Sequence, residues 1–178
     1  NYTIGLVTRD ALILELCPTM LGLILAGKIG SSITSEIGTM RITEQIDALE
    51  IMGINSASFL ILPKILVSVI FFPVLIILSI SVGMVGGWIG GLSVGVTTFD
   101  FILGLQYEFI PFYITYSLIK SVIFAFIITS VSAYYGYHTS GGAISVGKAS
   151  TKAVVYSSII LLLFNAILTK LILSNISF

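Results

Sequence analysis

Long apolar runs separated by short polar segments dominate the hydrophobic pattern of this chain. A helix needs about 20 mainly apolar residues to cross a bilayer. Runs of that length extend from about Ala11 to Gly38, Phe59 to Gly95, Phe109 to Tyr135 and Ala153 to Leu173. The alternating pattern of a membrane barrel is missing from the sequence. We therefore predict an all-α, polytopic transmembrane helix bundle of about four spans, as a single domain over residues 1–178.

Small residues recur at every fourth position in the first two runs. The first series is Gly22, Ala26, Gly30, Thr34 and Gly38, and the second is Gly83, Gly87, Gly91 and Gly95. Small residues at this spacing let helix backbones approach closely, and lipid gives helices no hydrophobic reason to associate. The two series predict either tight packing within one bundle or faces that slide or separate when the protein works.

A short acidic segment, Thr43 to Met52, lies between the first two runs. Thr43 is suited to cap a helix whose first turn is acidic, and Gly53 is suited to end it in a left-handed conformation. One face of this helix is apolar and consists of Ile42, Ile46 and Leu49. Another is acidic and consists of Glu44, Asp47 and Glu50.

This acidic helix has two possible partners, the lipid headgroups or another protein. Helices that lie at a membrane surface usually carry lysine and arginine on their polar face. The segment carries acids instead, which anionic lipids repel. We therefore predict that it docks a protein partner.

Composition agrees with a membrane protein and excludes several other classes. The chain is 57% hydrophobic and 9% charged, with a mean hydropathy of +1.13, whereas soluble domains carry roughly a quarter charged residues. A formal net charge of zero gives no electrostatic case for nucleic acid. The single cysteine, Cys17, and the single histidine, His138, argue against a disulfide or a metal site. Because the sequence begins at Asn1, we expect it to be N-terminally incomplete.

The lysines and arginines predict the orientation of the spans, since they favour the cytoplasm. Lys28, Arg41 and Lys64 flank the acidic segment, and two lysines lie in the linker Gly136 to Lys152. With four spans, these two segments share one side, which we predict to be cytoplasmic. The opposite side then holds Asn1, the linker Val96 to Glu108 and Phe178.

The stretch Gly142 to Ala149 nearly spells a phosphate-binding P-loop. That motif needs serine or threonine directly after its lysine and follows a buried strand. Here Ala149 follows Lys148, and the stretch comes after an apolar span. We therefore reject nucleotide binding and predict a tight turn shaped by Gly141, Gly142 and Gly147.

Two charges lie inside apolar runs, Glu15 in the first and Lys120 in the third. Such charges are costly in a membrane and usually face the bundle interior or a wet cavity. Both fall toward the outer side, so they are placed to pair or to line one cavity. The alternatives are an interfacial Glu15 that reaches water and a snorkelling Lys120. Glu36 is interpreted as structural. The sequence shows no catalytic set, which favours a protein that is not an enzyme.

Several stretches together form a recognisable pattern: Ala26 to Ser31 (AGKIGS), Glu36 to Glu50 (EIGTMRITEQIDALE), Leu118 to Ser121 (LIKS) and Gly136 to Ala143 (GYHTSGGA). They resemble the motifs of the MlaE-type (YrbE-like) permease family of ABC transporters. The resemblance covers the chain from about Leu14. Leu14-Glu15-Leu16 is similar to the family's R-E-L stretch, with leucine in place of arginine, and Cys17 replaces the family's usual glycine.

The resemblance implies the permease subunit of an ATP-driven transporter that moves phospholipid-type lipids between the bacterial inner membrane and the outer envelope. It also implies a homodimer, a periplasmic MCE-domain protein and a cytoplasmic ATPase, which binds ATP and magnesium so that this chain needs no cofactor. Residues 43–52 would be the coupling helix. Its ATPase contacts would be Thr43, Glu44, Gln45, Asp47, Ala48, Glu50 and Met52. The expected lipid path contains Leu14, Glu15, Leu16 and Lys120.

Two other classes stay open. An ion-coupled secondary carrier of a hydrophobic substrate would use Glu15 as its titrating group and would need no ATPase. A structural membrane scaffold would tolerate replacement of Glu15 by glutamine.

Overall fold

The structure, a computed structural model, describes the backbone of residues 2–174 and the side chains of residues 2–171. Six helices and no strand occur there: α1 (Thr3–Ile42), α2 (Gln45–Ile51), α3 (Ser56–Ser93), α4 (Thr98–Gln106), α5 (Phe112–Tyr137) and α6 (Ala143–Ser174). Within these residues, α1, α3, α5 and α6 are long and apolar enough to cross a membrane. The predicted all-α bundle of four spans is confirmed. Asn1 and Phe178, which were predicted to lie on the outer side, are outside the described residues.

Helix α1 is longer than the run that predicted it. It spans 40 residues, which at 1.5 Å per residue is about 60 Å, roughly twice the hydrocarbon thickness. Two π-helical turns interrupt its α-helical hydrogen bonding, at Leu12–Leu16 and Ala26–Gly30. Such turns occur often at functional sites, and the first contains Glu15.

Helix α3 is one continuous helix, although Pro63 and Pro73 lie inside it. It begins where the side chain of Asn55 accepts a hydrogen bond of 3.1 Å from the backbone N–H of Ser58. A run of this length with two prolines is compatible with a tilted, a kinked or a divided span, and the structure excludes the divided one. Gly95, just beyond the end of α3, adopts a left-handed φ of +86°.

Helix α6 begins ten residues before the predicted start at Ala153, so the predicted linker Gly136 to Lys152 is wrong in length. Only residues 138–142 connect α5 to α6, and Gly147 lies inside the helix instead of in a turn. Hydropathy misplaced the start because Lys148 and Lys152 interrupt the apolar run. Helix formation there depends on one buried face, on which Val146 lies against Gly38 of α1.

The predicted outer linker, Val96 to Glu108, also contains a helix, α4. Helix α4 has nine residues, too few for hydropathy to identify it as a membrane span. Phe101 of α4 is buried, and its backbone lies directly against Gly5 near the start of α1.

Except for Gly95, which is exposed beyond the end of α3, both series of small residues pack inside the bundle, as one of the two interpretations predicted. The α1 series faces α5 and α6: a methyl group at Gly30 would lie 2.9 Å from the Ser132 hydroxyl oxygen. The α3 series faces α1 and α4: a methyl group at Gly87 would lie 2.7 Å from a Thr8 side-chain carbon. These helices therefore approach more closely than larger side chains would permit.

Another close approach joins α5 to α1. A methyl group on Gly136 would lie 2.9 Å from the carbonyl oxygen of Thr34 and 3.0 Å from Cβ of Ile37. Close by, the buried Thr34 hydroxyl donates a 2.9 Å hydrogen bond to the carbonyl oxygen of Ser132. A buried apolar cluster then continues across α1, α3, α5 and α6: Leu25, Ala26, Phe72, Phe124, Ala125, Ile128 and Leu161.

We expect Gly136→Ala to lower the melting temperature of the protein purified in detergent. Alanine at a helix interior is worth up to about 1 kcal/mol over glycine, but here its methyl group must displace the α1 backbone, at a cost of about 1–3 kcal/mol. Gly147→Ala in α6 is the matched control, because a methyl group there meets nothing within 4 Å. Equal melting temperatures for the two variants would contradict the close contact.

Candidate functional site

Helix α2 begins at Gln45, two residues later than the predicted coupling helix. Glu44 precedes it with a left-handed φ of 60°. Thr43 is not the cap that its sequence position suggested: its hydroxyl donates a 2.8 Å hydrogen bond back to the carbonyl oxygen of Thr39 in α1. Thr43 therefore ends α1 instead of starting α2. The left-handed conformation predicted at Gly53 is confirmed by its φ of +77°.

The two acids of α2 hold this helix against the rest of the protein. Asp47 forms an ion pair of 2.6 Å with Arg41 at the end of α1. Glu50 accepts 2.8 Å hydrogen bonds from the hydroxyl groups of Ser56 in α3 and Tyr137 in α5. We call these two acids and their three partners the α2 clamp. Both acids therefore have partners within this chain, although the Asp47 side chain is still 49% exposed and Glu50 is exposed.

The hydroxyl groups around Glu50 also change its acidity. Hydrogen bonds from Ser56 and then Tyr137 stabilise the charged form and hold the pKa of this carboxyl group below its usual value. Glu50 therefore stays ionised at neutral pH, and its contacts with α3 and α5 persist there.

The exposed residues of α2 and its ends that lie outside the clamp are mostly uncharged. Ile46 is buried, whereas 87% of Ile51 and 64% of Met52 are exposed. We define the exposed face of α2 as Glu44, Gln45, Ala48, Ile51 and Met52. Ile51 was not among the predicted contact residues. Its signal in the sequence was a large apolar residue at the end of a short helix, in register with Glu44 and Ala48.

A second polar centre lies deep in the bundle, where α5 passes the first π-helical turn of α1. Lys120 is 0% exposed, and its Nζ lies 2.7 Å from Oε1 of Glu15. The predicted pairing of these two charges is confirmed, and a snorkelling Lys120 is excluded. Nζ also donates to the carbonyl oxygen of Leu14, at 3.0 Å. Pro18, four residues after Leu14, has no N–H to donate to that carbonyl.

Three uncharged side chains complete this centre, and sequence reasoning missed all of them. Asn165 donates 2.9 Å to Oε2 of Glu15, and the Thr169 hydroxyl lies 2.7 Å from Oε1. The Tyr116 hydroxyl lies 3.0 Å from the Thr169 hydroxyl, and its ring lies under the Lys120 ammonium. The available signal was the spacing of Asn165 and Thr169, four residues apart in an apolar run, which places them on one helix face.

One edge of this polar centre is accessible. The Glu15 side chain is 38% exposed, Leu16 is exposed, and Leu14 is half-buried. Next to them an apolar groove of about 420 Å³ runs between α1 and α3, with Leu16, Met20 and Ser79 in its wall. A polar edge beside an apolar groove suits an amphipathic molecule.

The remaining predicted residues have simpler surroundings. Glu36 pairs with Lys64 at 2.6 Å and so joins α1 to α3, in keeping with the structural role predicted for it. The stretch resembling a P-loop forms the turn before α6 and the first turns of that helix, and it follows a helix instead of a strand.

Comparisons with known proteins define the class. Residues 1–171 match the family described as Permease MlaE. A probable ABC transporter permease protein of Rickettsia bellii is 39% identical over 174 residues, which cover 95% of this chain and 66% of that protein. A protein of the same description from Synechocystis is 35% identical over 170 residues, covering 95% and 65%.

A chloroplast protein of Arabidopsis thaliana is also similar. It is called TRIGALACTOSYLDIACYLGLYCEROL 1 and is 34% identical over 158 residues, which cover 88% of this chain and 45% of that protein. The chain thus spans about two thirds, or less, of the length of these relatives. The four-span bundle and these similarities define a multi-pass membrane permease subunit. The chain belongs to the MlaE permease family.

We expect Lys120→Met to destabilise the protein more than the double change Glu15→Gln with Lys120→Met. Removing one partner of a buried pair leaves an uncompensated charge, at a cost of 3–5 kcal/mol in a closed site. Because Glu15 is partly exposed, we expect about 1–3 kcal/mol here. Melting temperatures of the purified variants provide the measurement. A double variant as unstable as the single one would show that the charge pairing is not what matters.

Proposed function

We propose that this chain is the membrane-embedded permease subunit of an ATP-driven transporter that moves phospholipid-type lipids between the bacterial inner membrane and the outer envelope. It works as a homodimer, with a cytoplasmic ATPase that binds ATP and magnesium and a periplasmic MCE-domain protein. The permease carries out no covalent chemistry. The observation that carries this proposal is the position of α2, which is clamped to three spans but leaves an apolar end free.

The geometry of α2 supports its use as a coupling helix. A displacement of α2 would reach α1 through Arg41, α3 through Ser56 and α5 through Tyr137, because the α2 clamp contacts each of them. Exposed apolar residues rimmed by polar ones are typical of protein interaction sites. The ATPase therefore contacts α2 chiefly through Ile51 and Met52, and the acids transmit the motion.

The centre around Glu15 supports an amphipathic substrate. Its polar edge can meet a headgroup while the groove beside Leu16 holds apolar chains. The Arabidopsis relative is named after trigalactosyldiacylglycerol, a glycosylated diacylglycerol, and this name agrees with a lipid as substrate. Leu14, Glu15, Leu16 and Lys120 remain the proposed lipid path, and Asn165 and Thr169 join them.

Membership of the MlaE permease family, with relatives named as ABC transporter permeases, favours ATP-driven transport over an ion-coupled carrier. The scaffold hypothesis gives no reason for a buried lysine to hold a partly exposed carboxylate beside an open groove.

The double variant Ile51→Ser with Met52→Ser tests the docking surface. In the full-length protein co-expressed with its ATPase, we expect at least a ten-fold loss of ATPase co-purification, because truncating central apolar anchors commonly costs 1–2 kcal/mol each. The matched control is Val94→Ser with Phe99→Ser, which alters two residues that are 80% and 74% exposed, one just beyond the opposite end of α3 and one in α4.

Equal retention of the ATPase by both double variants would overturn the proposed role of α2. Loss of the ATPase from both would show that the effect is not specific to this surface. Either result counts against the proposal, because ATPase binding would then not depend specifically on Ile51 and Met52.

A further inference from the structure

A cleft of about 400 Å³ opens beside the connection between α5 and α6 and has no role in the proposed transport path. The end of α5 contributes Tyr134, Tyr135 and His138 to its wall, and the first turns of α6 contribute Lys148 and Lys152. Ser140, in the short connection, and Ser145 add two hydroxyl groups. Cationic, hydroxyl and aromatic side chains therefore converge on one small volume.

The two lysines are available to a ligand. Lys148 and Lys152 are four residues apart, on one face of α6, and both are exposed. Neither forms an ion pair within the part of the chain that the structure describes, whereas Arg9, Arg41, Lys64 and Lys120 each do. The cleft thus presents two uncompensated positive charges.

His138 adds a third nitrogen group at the same wall. Its Nδ1 lies 2.9 Å from the carbonyl oxygen of Tyr134. A carbonyl oxygen only accepts, so Nδ1 carries the hydrogen and Nε2 is the free ring nitrogen. When the ring is protonated, Nε2 becomes a donor as well.

The aromatic residues place the cleft at a membrane surface. The Tyr135 ring stacks on that of Tyr156 with 5.5 Å between centroids, and Tyr134 is exposed. Tyrosine is enriched at headgroup level, where its ring stays in apolar surroundings and its hydroxyl reaches water. A soluble ligand would not need tyrosines suited to headgroup level beside its site. The tyrosines therefore favour a ligand that is itself part of the membrane.

We propose that this cleft binds the phosphate group of an anionic lipid in the leaflet on the side of α2. Lysines with adjacent hydroxyl donors match the charge and the acceptor oxygens of a phosphodiester, and basic pockets between spans recognise anionic headgroups. The site is separate from the centre around Glu15, which lies toward the other end of the spans, and it does not depend on the transported lipid. The bound lipid acts as a fixed ligand at the junction of α5 and α6.

The experiment compares lipid binding by the full-length complex, purified in detergent and studied by native mass spectrometry. The probes are phosphatidylglycerol, phosphatidylcholine and inorganic phosphate. The test variant is Lys148→Gln with Lys152→Gln. Lys28→Gln with Lys170→Gln removes the same charge from two other exposed lysines, and Lys148→Arg with Lys152→Arg keeps the charge in the cleft.

We expect the test variant to retain phosphatidylglycerol about thirty-fold less well, because each of the two lysines near an anionic surface contributes roughly 1 kcal/mol. Phosphatidylcholine binding should not change, and both other double variants should resemble the unmodified complex. Equal phosphatidylglycerol binding by the test variant and the Lys28 and Lys170 control would overturn the site. Displacement of the lipid by millimolar inorganic phosphate would overturn the lipid assignment in favour of a soluble phosphate.

Discussion

The close approach of α1 and α5 is the constraint on which the rest of this structure depends. In lipid, helices gain little from burying apolar side chains, so their association relies on backbone proximity and buried polar contacts. Gly136 provides the first, since only a hydrogen atom fits between α5 and the backbone of Thr34. Lys120 provides the second, because its ammonium group joins the same two helices at the far end of the contact.

This constraint gives α1 a mechanical role. A helix of 40 residues reaches from the α2 clamp at one end past Glu15 toward the other. Because α5 contacts α1 at two levels, through Ser132 and Thr34 on the side of α2 and through Lys120 and Glu15 toward the other end, the two helices are coupled over most of their length. Movement at α2 can then reach the polar centre through packed backbone, without any long-range electrostatic effect.

The charged residues serve this coupling in two different ways. The pair of Lys120 and Glu15 is held by three neighbouring polar groups, the Leu14 carbonyl, the Thr169 hydroxyl and the Asn165 amide, which compensate the cost of placing charges in the bundle. The acids of α2 lie at the surface, where single ion pairs contribute little to stability. Their role is to orient α2: Asp47 and Glu50 hold in place a helix of only seven residues, which is too short to be stable alone.

The hydropathy pattern correctly predicted the features of the fold that depend on local composition. The four spans, the short helix after the first of them and its left-handed end at Gly53 all follow from residues close together in the chain. The position of Lys120 opposite Glu15 was only one of several interpretations, since the two residues are 105 positions apart. Asn165 and Thr169 gave a weak signal because uncharged polar residues barely lower the hydropathy of an apolar run. The start of α6 and the role of Thr43 were missed because packing and side-chain hydrogen bonds, not hydropathy, determine helix ends.

The central claim is that the acids of α2 transmit motion while its apolar end binds the ATPase. The most direct measurement is lipid transport per ATP hydrolysed by the reconstituted complex carrying Asp47→Asn with Tyr137→Phe. Both changes weaken the α2 clamp and leave Ile51 and Met52 intact. The account predicts unchanged retention of the ATPase with a several-fold lower transport per ATP. Loss of the ATPase, or unchanged transport per ATP, would contradict it.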